Sequence, residues 1–598
     1  MKSDIEVIRR ICVQISGIGE VVTGSKNERK VIDMLRGFLE DHVEELKLHP
    51  INVMSWHGER AEVHIGDIIL KATPLPYSPS GDVDGKIVYV GNSIEERGLS
   101  KRDVEGKILL YESFDDVDEI ESQYLEALDY GALGFIVFDK YPSVRRKIVI
   151  KGEYEYRFGP STPPPIPAIH LKREDGLKLL KLINSGLNAA RMNVKCHVEH
   201  DAMGYNLEAY VLHGREHQIL VTAHHDHWFS GIIDNVLGIA LLVSLIKDLK
   251  RKLANLKIKN TLRMVSFTAE ESGAPNYAGW YWIYGSRKYV EHLRNKGEID
   301  NIILILNVDA LGRSKLDVYI SSPILTSLVE KMAGRYVDNL ILYDSPYFDS
   351  FSFSYFANIP AITFTSFNYI AEIYHTDRDN LENVEWNIID RAYKALMALV
   401  NHVVSSDVLR ELDYLGYIES IYNEALNGNA PLDLKLSIYR LYDYVKGAIK
   451  SMKYNYVFKI LNKLNGIITS PIFEGDYRTS YGKFNVIRFP YLLVYRDIHM
   501  IEKALNNLER GEITEAIKCL KQIPTKRIEP GIERIITEVN ISPLISLLQL
   551  HGMKIRGQAI NILKEMKGSL NTWIYDAVDK YIIIINNICK DLYEVINN

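Results

Sequence analysis

Between residues 218 and 367 the chain contains four apolar runs, "QILVTA" to Ala223, "TLRMVSFT" to Thr268, "IILILNV" to Val308 and "AITFTSF" to Phe367, separated by helix-like stretches. Strand patterns alternating with helix patterns predict an α/β fold, a mostly parallel mixed sheet flanked by helices. In such a sheet the carboxyl ends of the strands share one edge, and ligands bind in the crevice outside it. Polar residues collect at that edge. His224, His225 and Asp226 follow the first run, Glu270 and Glu271 the second, and Asp309 the third, while the fourth leads to "YHTDRDN" with His375. Asp234 opens the helix pattern "DNVLGIALLVSLIKDLKRKL" on the crossover returning from the same edge, so it belongs with them.

Taken singly, each residue has an ordinary explanation: adjacent glutamates sit on surfaces, and an aspartate after a strand caps a helix. Four separate strand ends that all carry metal-type ligands are harder to explain that way. Two histidines and three carboxylates without a thiolate suit two zinc ions sharing a bridging carboxylate and a bridging water. The charges agree, since Asp234, Glu271, Asp309 and one hydroxide balance two Zn2+ ions. Asp226 is then free to accept the second ring proton of His224 and fix its tautomer. Glu270 stands beside a ligand and is the expected general base. Residues two apart on a strand share a face, so His224 is expected at the metal and His225 on the other side.

Composition narrows the alternatives. The chain has 598 residues, is 47% hydrophobic and carries a net charge of -6 from mixed signs, so it can bury several cores and has no basic stripe for nucleic acid. The start, MKSDIEVIRRICVQ, lacks a signal-peptide core, and "GIALLVSLI" and "YIIII" are too short to span a membrane. A soluble cytoplasmic protein without membrane or nucleic-acid partners is expected. Cys12, Cys196, Cys519 and Cys589 are scattered, which argues against a disulfide framework.

Outside the α/β segment, "SKNERKVIDMLRGFLEDHVEEL" reads as an amphipathic helix with a capping box from Ser25 to Glu28. Residues 72–190 read as an inserted β-rich module, with runs such as "GKIVYVG" and "ALGFIVFDK" divided by turn residues. After about 405 the strand signals vanish and paired helices are predicted. Residues 466–484 are too long and too rich in Tyr and Gly for a simple helix connection, and they are expected to reach toward the crevice.

The motifs "AHHDH", "DNVLG", "AEESG", "NVDALG" and "YHT", in that order, resemble the co-catalytic zinc exopeptidases that include bacterial zinc aminopeptidases and glutamate carboxypeptidase II. The resemblance covers residues 1–65 and 191–405. It implies that His224 and Asp309 hold one zinc, that Glu271 and His375 hold the other, that Asp234 bridges them and that Glu270 is the base. It also implies that the Tyr374 phenol steadies a tetrahedral intermediate, that the insert 72–190 is a protease-associated (PA) domain, and that the helical C-terminal domain 406–598 supports a homodimer. The implied reaction is hydrolysis of terminal peptide bonds by a metal-bound hydroxide on a peptide substrate, with an aminopeptidase favoured over a carboxypeptidase. Other readings are an amidase or single-zinc cyclase, and a non-catalytic receptor on the same fold. Carboxypeptidases need a cationic pocket such as Arg287 or Arg478 could build. The stretch "APNYAGWYWIY", Ala274 to Tyr284, is longer than in many relatives and is expected to wall the substrate pocket with Trp280 and Trp282, beside Trp228.

Overall fold

The computed structural model describes every residue except 1, 114–117, 154–156, 253–256, 429, 476–481, 530–533 and 598. The chain forms two compact units, residues 1–319 with 330–406, and residues 320–329 with 407–598.

In the first unit the four apolar runs become strands Thr261–Phe267, Gln218–His224, Ile302–Val308 and Ala361–Thr365, adjacent in that order and parallel. Beyond Gln218 every position of the four is buried, as expected for parallel strands covered on both faces. Gln218 alone is half-exposed. Ala189–Leu212 pairs antiparallel with Thr261–Phe267, which makes the sheet mixed. Helix Leu237–Lys252 is apolar almost all round and lies in the core, with every residue from Gly231 to Ile246 buried. Truncating a leucine such as Leu241 or Leu245 there costs about 2–5 kcal/mol. Its rigidity fixes where Asp234 sits.

Two long strands, Glu45–Ile65 and Ala189–Leu212, pair antiparallel from Glu45 opposite Tyr210 to Ile65 opposite Ala190, and lead the chain into the insert. There Gly81–Gly91, Ile108–Glu112, Gly134–Phe138 and Ala168–Leu171 run parallel. The side chains alternate between two cores, Ile108, Leu110 and Ile136 against Leu179 on one face, and Leu109, Phe135 and Val137 against Tyr124 on the other. Ala61, Val63, Met192 and Val194 join the first of these cores. The first long strand ends at Ile65 and the second begins at Ala189, so both carry side chains into the core of the insert.

The second unit is mainly helical, with the 42-residue helix Arg556–Asn597 as its longest element. It adds a small antiparallel sheet in the order Gly482–Arg488, Thr469–Gly475, Lys526–Glu529 and Arg534–Glu538. These strands are short and Thr469–Gly475 contains Pro471, so their sequence signal is weak. The flanks of 466–484 form a hairpin, and its tip, with Arg478, lies outside the described residues. Among the described residues no helix is long and apolar enough to cross a membrane.

Candidate metal centre

His224 is the last residue of Gln218–His224, and Glu270, Glu271 and Asp309 follow the ends of the two neighbouring strands. Asp234 sits in the kinked turn Ile232–Val236 before the buried helix, with a backbone that is not helical (φ -123°, ψ 88°). His375 comes from the turn after Ala361–Thr365. Backbone in the left-handed region recurs here, at Ala269 (φ 52°), Ala310 (φ 45°) and His375 (φ 54°). Non-glycine residues pay about 1–3 kcal/mol for such geometry, and it clusters at functional sites.

The side chains converge as two triads that share Asp234. His224 Nε2 lies 3.2 Å from Asp234 Oδ1 and 3.4 Å from Asp309 Oδ1. His375 Nε2 lies 2.7 Å from Glu271 Oε2 and 3.6 Å from Asp234 Oδ2. Within each triad the ligand atoms lie within 4.8 Å of one another. Both Nε2 atoms, Glu271 Oε1 and Asp309 Oδ2 are buried without a hydrogen-bond partner among the described residues. Buried polar atoms are almost always satisfied, so four converging orphans fit a pair of cations. The donors, imidazole nitrogen and carboxylate oxygen, are of the type zinc takes.

The electrostatics agree. Burial pushes Glu271 up to about 7 and Asp309 up to about 6, and lifts Glu270 well above the usual carboxyl range. Burial also works against the charge on Asp234, but His224 and His375 on either side overcome it and hold this carboxyl below its ordinary value. His375 is raised to about 9, because Glu271 and Asp234 outweigh the effect of burial. Protons partly stand in for positive charge here.

Two aspartates orient this set. The His224 Nδ1 contact is to the Asp226 main-chain oxygen at 3.0 Å, while the Asp226 carboxylate is 3.8 Å away. The carboxylate instead accepts the backbone N–H groups of Glu270 (3.2 Å) and Glu271 (3.1 Å). Asp226 thus meets the His224 ring through its main-chain carbonyl rather than through the expected carboxylate, because the tight turn after the strand presents that oxygen to the ring. Asp379, four residues after His375 in "YHTDRDN", accepts the N–H groups of Ile233 (2.7 Å) and Asp234 (3.0 Å), a role that no local pattern signals. His225 faces away, with Nδ1 2.7 Å from Ser266 Oγ.

A cavity of about 50 Å³ opens beside Glu270, Glu271 and His375. Tyr281, Trp282, Tyr347 and Tyr374 wall it, and the insert contributes Glu121, Ile148 and Val149. Tyr374 also stacks on His375 at 3.7 Å. Neither Glu121 nor Tyr347 stands in a local pattern that points to the cavity. Three of the expected pocket residues are not part of the cavity wall, although Trp228 meets the His375 ring edge-on with centroids 6.4 Å apart. Trp280 is fully buried against Phe158, Phe351 and Phe356. Trp228 packs with Val22, Met54 and Trp56. The Arg287 guanidinium lies over the Phe158 ring and donates to the carbonyls of Trp280 (2.7 Å) and Trp282 (3.1 Å), so it braces the aromatic loop. An aromatic run this dense has to bury part of itself, and sequence does not tell which part.

Histidines and carboxylates at the carboxyl edge of this mixed sheet, with a glutamate beside them, follow the motif order of the co-catalytic zinc exopeptidases that the segment resembles. Residues 206–400 match the sequence profile of peptidase family M28. The chain is 27% identical over 320 residues to carboxypeptidase Q from Xenopus laevis, an alignment covering 50% of this chain and 64% of that protein. It is 26% identical over 272 residues to leucine aminopeptidase 2 from Arthroderma otae, covering 45% and 50%. The matches thus span less than two thirds of these relatives. The zinc aminopeptidase from Bacillus subtilis shares the fold, with a TM-score of 0.54 at 19% identity over 67% of this chain and 96% of that one.

Proposed function

We propose that the chain is a di-zinc metallo-exopeptidase that removes residues from the amino end of peptides. The observation that carries this reading is the pair of triads joined at Asp234, next to a cavity lined by Glu121, Glu270 and Glu271 with no arginine or lysine among its described lining residues. His224 and Asp309 would hold one zinc, Glu271 and His375 the other, and Asp234 both. Zinc in such a site supplies Lewis acidity and a water with a pKa near 7.

Glu270 touches the cavity without belonging to either triad, which suits a group that takes a proton from water and returns it to the leaving amine. Its Oε2 is 3.8 Å from His224 Nε2, close enough to serve the same reacting atoms. Tyr374 faces the same cavity and can donate its phenolic O–H to a developing oxyanion.

An acid-lined cavity favours the ammonium end of a peptide over its carboxylate end. Glu121 is itself paired with Lys151 at 2.7 Å, so the surplus negative charge would come from Glu270 once bound zinc favours its ionised form. The test is hydrolysis of matched tripeptides, one with a blocked amine and one with a blocked carboxylate. The carboxy-blocked peptide should be cleaved and the amino-blocked one spared, and the reverse pattern would identify a carboxypeptidase.

A further inference from the structure

We infer that the insert is a working part of the metal centre, and that Arg146 is the positioning residue through which it sets His375 and Tyr374. This rests on the di-zinc reading of the site. Arg146 belongs to the insert and is buried. Its guanidinium donates to the carbonyl oxygens of Tyr374 (2.5 Å), Ala371 (3.1 Å) and Glu372 (3.5 Å). Those three carbonyls belong to the turn that ends in left-handed His375.

The main chain repeats the grip. Arg146 forms an antiparallel bridge with Thr376, Lys147 N donates to His375 O at 3.0 Å, and Asp377 N donates to Arg145 O at 3.1 Å. The guanidinium is itself fixed from behind. Asp139, at the end of Gly134–Phe138, accepts from Nε at 2.7 Å, and His170 Nε2 lies 3.2 Å from the same carboxylate oxygen.

A planar fork with five donors can satisfy several converging carbonyls together with a carboxylate, whereas an ammonium is a single point of charge. Three carbonyls turned toward one spot repel one another unless a cation lies between them. Without Arg146 the turn would relax, and His375 Nε2 would leave the face of Glu271 and Asp234. His224 and Asp309 hang on strands the insert does not touch through this contact. The effect should therefore fall on one metal of the two.

The full-length chain decides this through Arg146→Lys and Arg146→Ala, with His375→Ala as reference. Zinc binding is titrated in metal-buffered solution, and hydrogen exchange is followed at residues 373–377 in chelator-treated protein. In Arg146→Lys the second zinc should bind at least tenfold more weakly while the first is unchanged, the pattern of His375→Ala. Exchange at 373–377 should rise in both Arg146 variants. Guanidinium at millimolar concentration should partly restore the second zinc in Arg146→Ala and not in His375→Ala. Unchanged affinities, or both zincs weakened equally, would overturn the proposal, as would unchanged exchange at 373–377 in Arg146→Lys. A wild-type chain that takes up only one zinc overturns the di-zinc reading, and the exchange measurement then still decides the clamp.

Discussion

Asp379 accepts the main-chain N–H of Asp234 at 3.0 Å and that of Ile233 at 2.7 Å, so the turn bearing His375 also holds the residue that faces both histidines. One carboxylate spans two N–H groups, and both oxygens are used. Asp379→Asn keeps the shape but turns an amide N–H toward one of those donors. Zinc affinity should fall about 10–100-fold, as it does when outer partners of metal ligands are changed. Competition with a chelator measures it, and wild-type affinity in the variant would rule out this role.

Glu270→Gln should retain wild-type zinc content and lose turnover by about 10²–10⁴-fold. The backbone of Glu270 is held by Asp226 and its side chain belongs to neither triad, so nothing structural is removed. Metal analysis and steady-state kinetics on one preparation separate the two effects. A variant that turned over normally would take the base assignment away from Glu270.

How much of this could be read from sequence follows the range of the interactions. The parallel strands and their polar ends repeat with local periodicity, so the edge bearing His224, Glu271 and Asp309 was legible. The strand register also placed His225 on the far side, where it meets Ser266. Asp379, Arg146 and Glu121 act across separations of more than a hundred residues, with 145 between Asp379 and Asp234 and 228 between Arg146 and Tyr374. No local pattern encodes such a partner. The small sheet in the second unit was missed for another reason, because Pro471 and strands of four to seven residues imitate a loop.

Chelator-treated protein should lose stability as pH rises toward 9. Burial raises the carboxyls of Glu271 and Asp309 to about 7 and about 6, so each favours the folded state while protonated and loses that contribution as pH climbs through its folded value. His375, raised to about 9, contributes fully below its ordinary 6.5 and loses the contribution on the way up to 9. Asp234 has the opposite sign, but it is ionised in both states above pH 5 and is neutral to the trend there. Zinc must displace these protons, so its affinity and the rise in Tm it causes should both grow from pH 6 to 9. Calorimetry with and without zinc across that range checks it, and a zinc-induced rise in Tm independent of pH would contradict the proton count.

Trp280 and Trp282 stand two residues apart in one aromatic loop, and their substitutions should differ in substrate preference. Trp280 is fully buried against three phenylalanines, whereas Trp282 lines the cavity and is anchored by its Nε1–H on the Pro346 carbonyl at 2.8 Å. Trp280→Ala should cost about 3–5 kcal/mol of stability and leave substrate preference alone. The cavity is walled by Tyr281, Trp282 and Tyr347, so an apolar side chain entering it meets aromatic surface. Each methylene accommodated in an apolar pocket is worth about 1–3 kcal/mol of discrimination, so Leu next to the scissile bond should exceed Gly by at least about tenfold in kcat/KM. Trp282→Ala should erode that ratio and, because this ring is also buried, lower Tm as well, so substrate preference is the readout that separates the two variants. Melting curves and a Gly, Ala, Leu, Phe, Glu and Lys substrate series on wild type and both variants give the answer. If Trp280→Ala changes the preference and Trp282→Ala does not, the pocket lies on the other side of the loop.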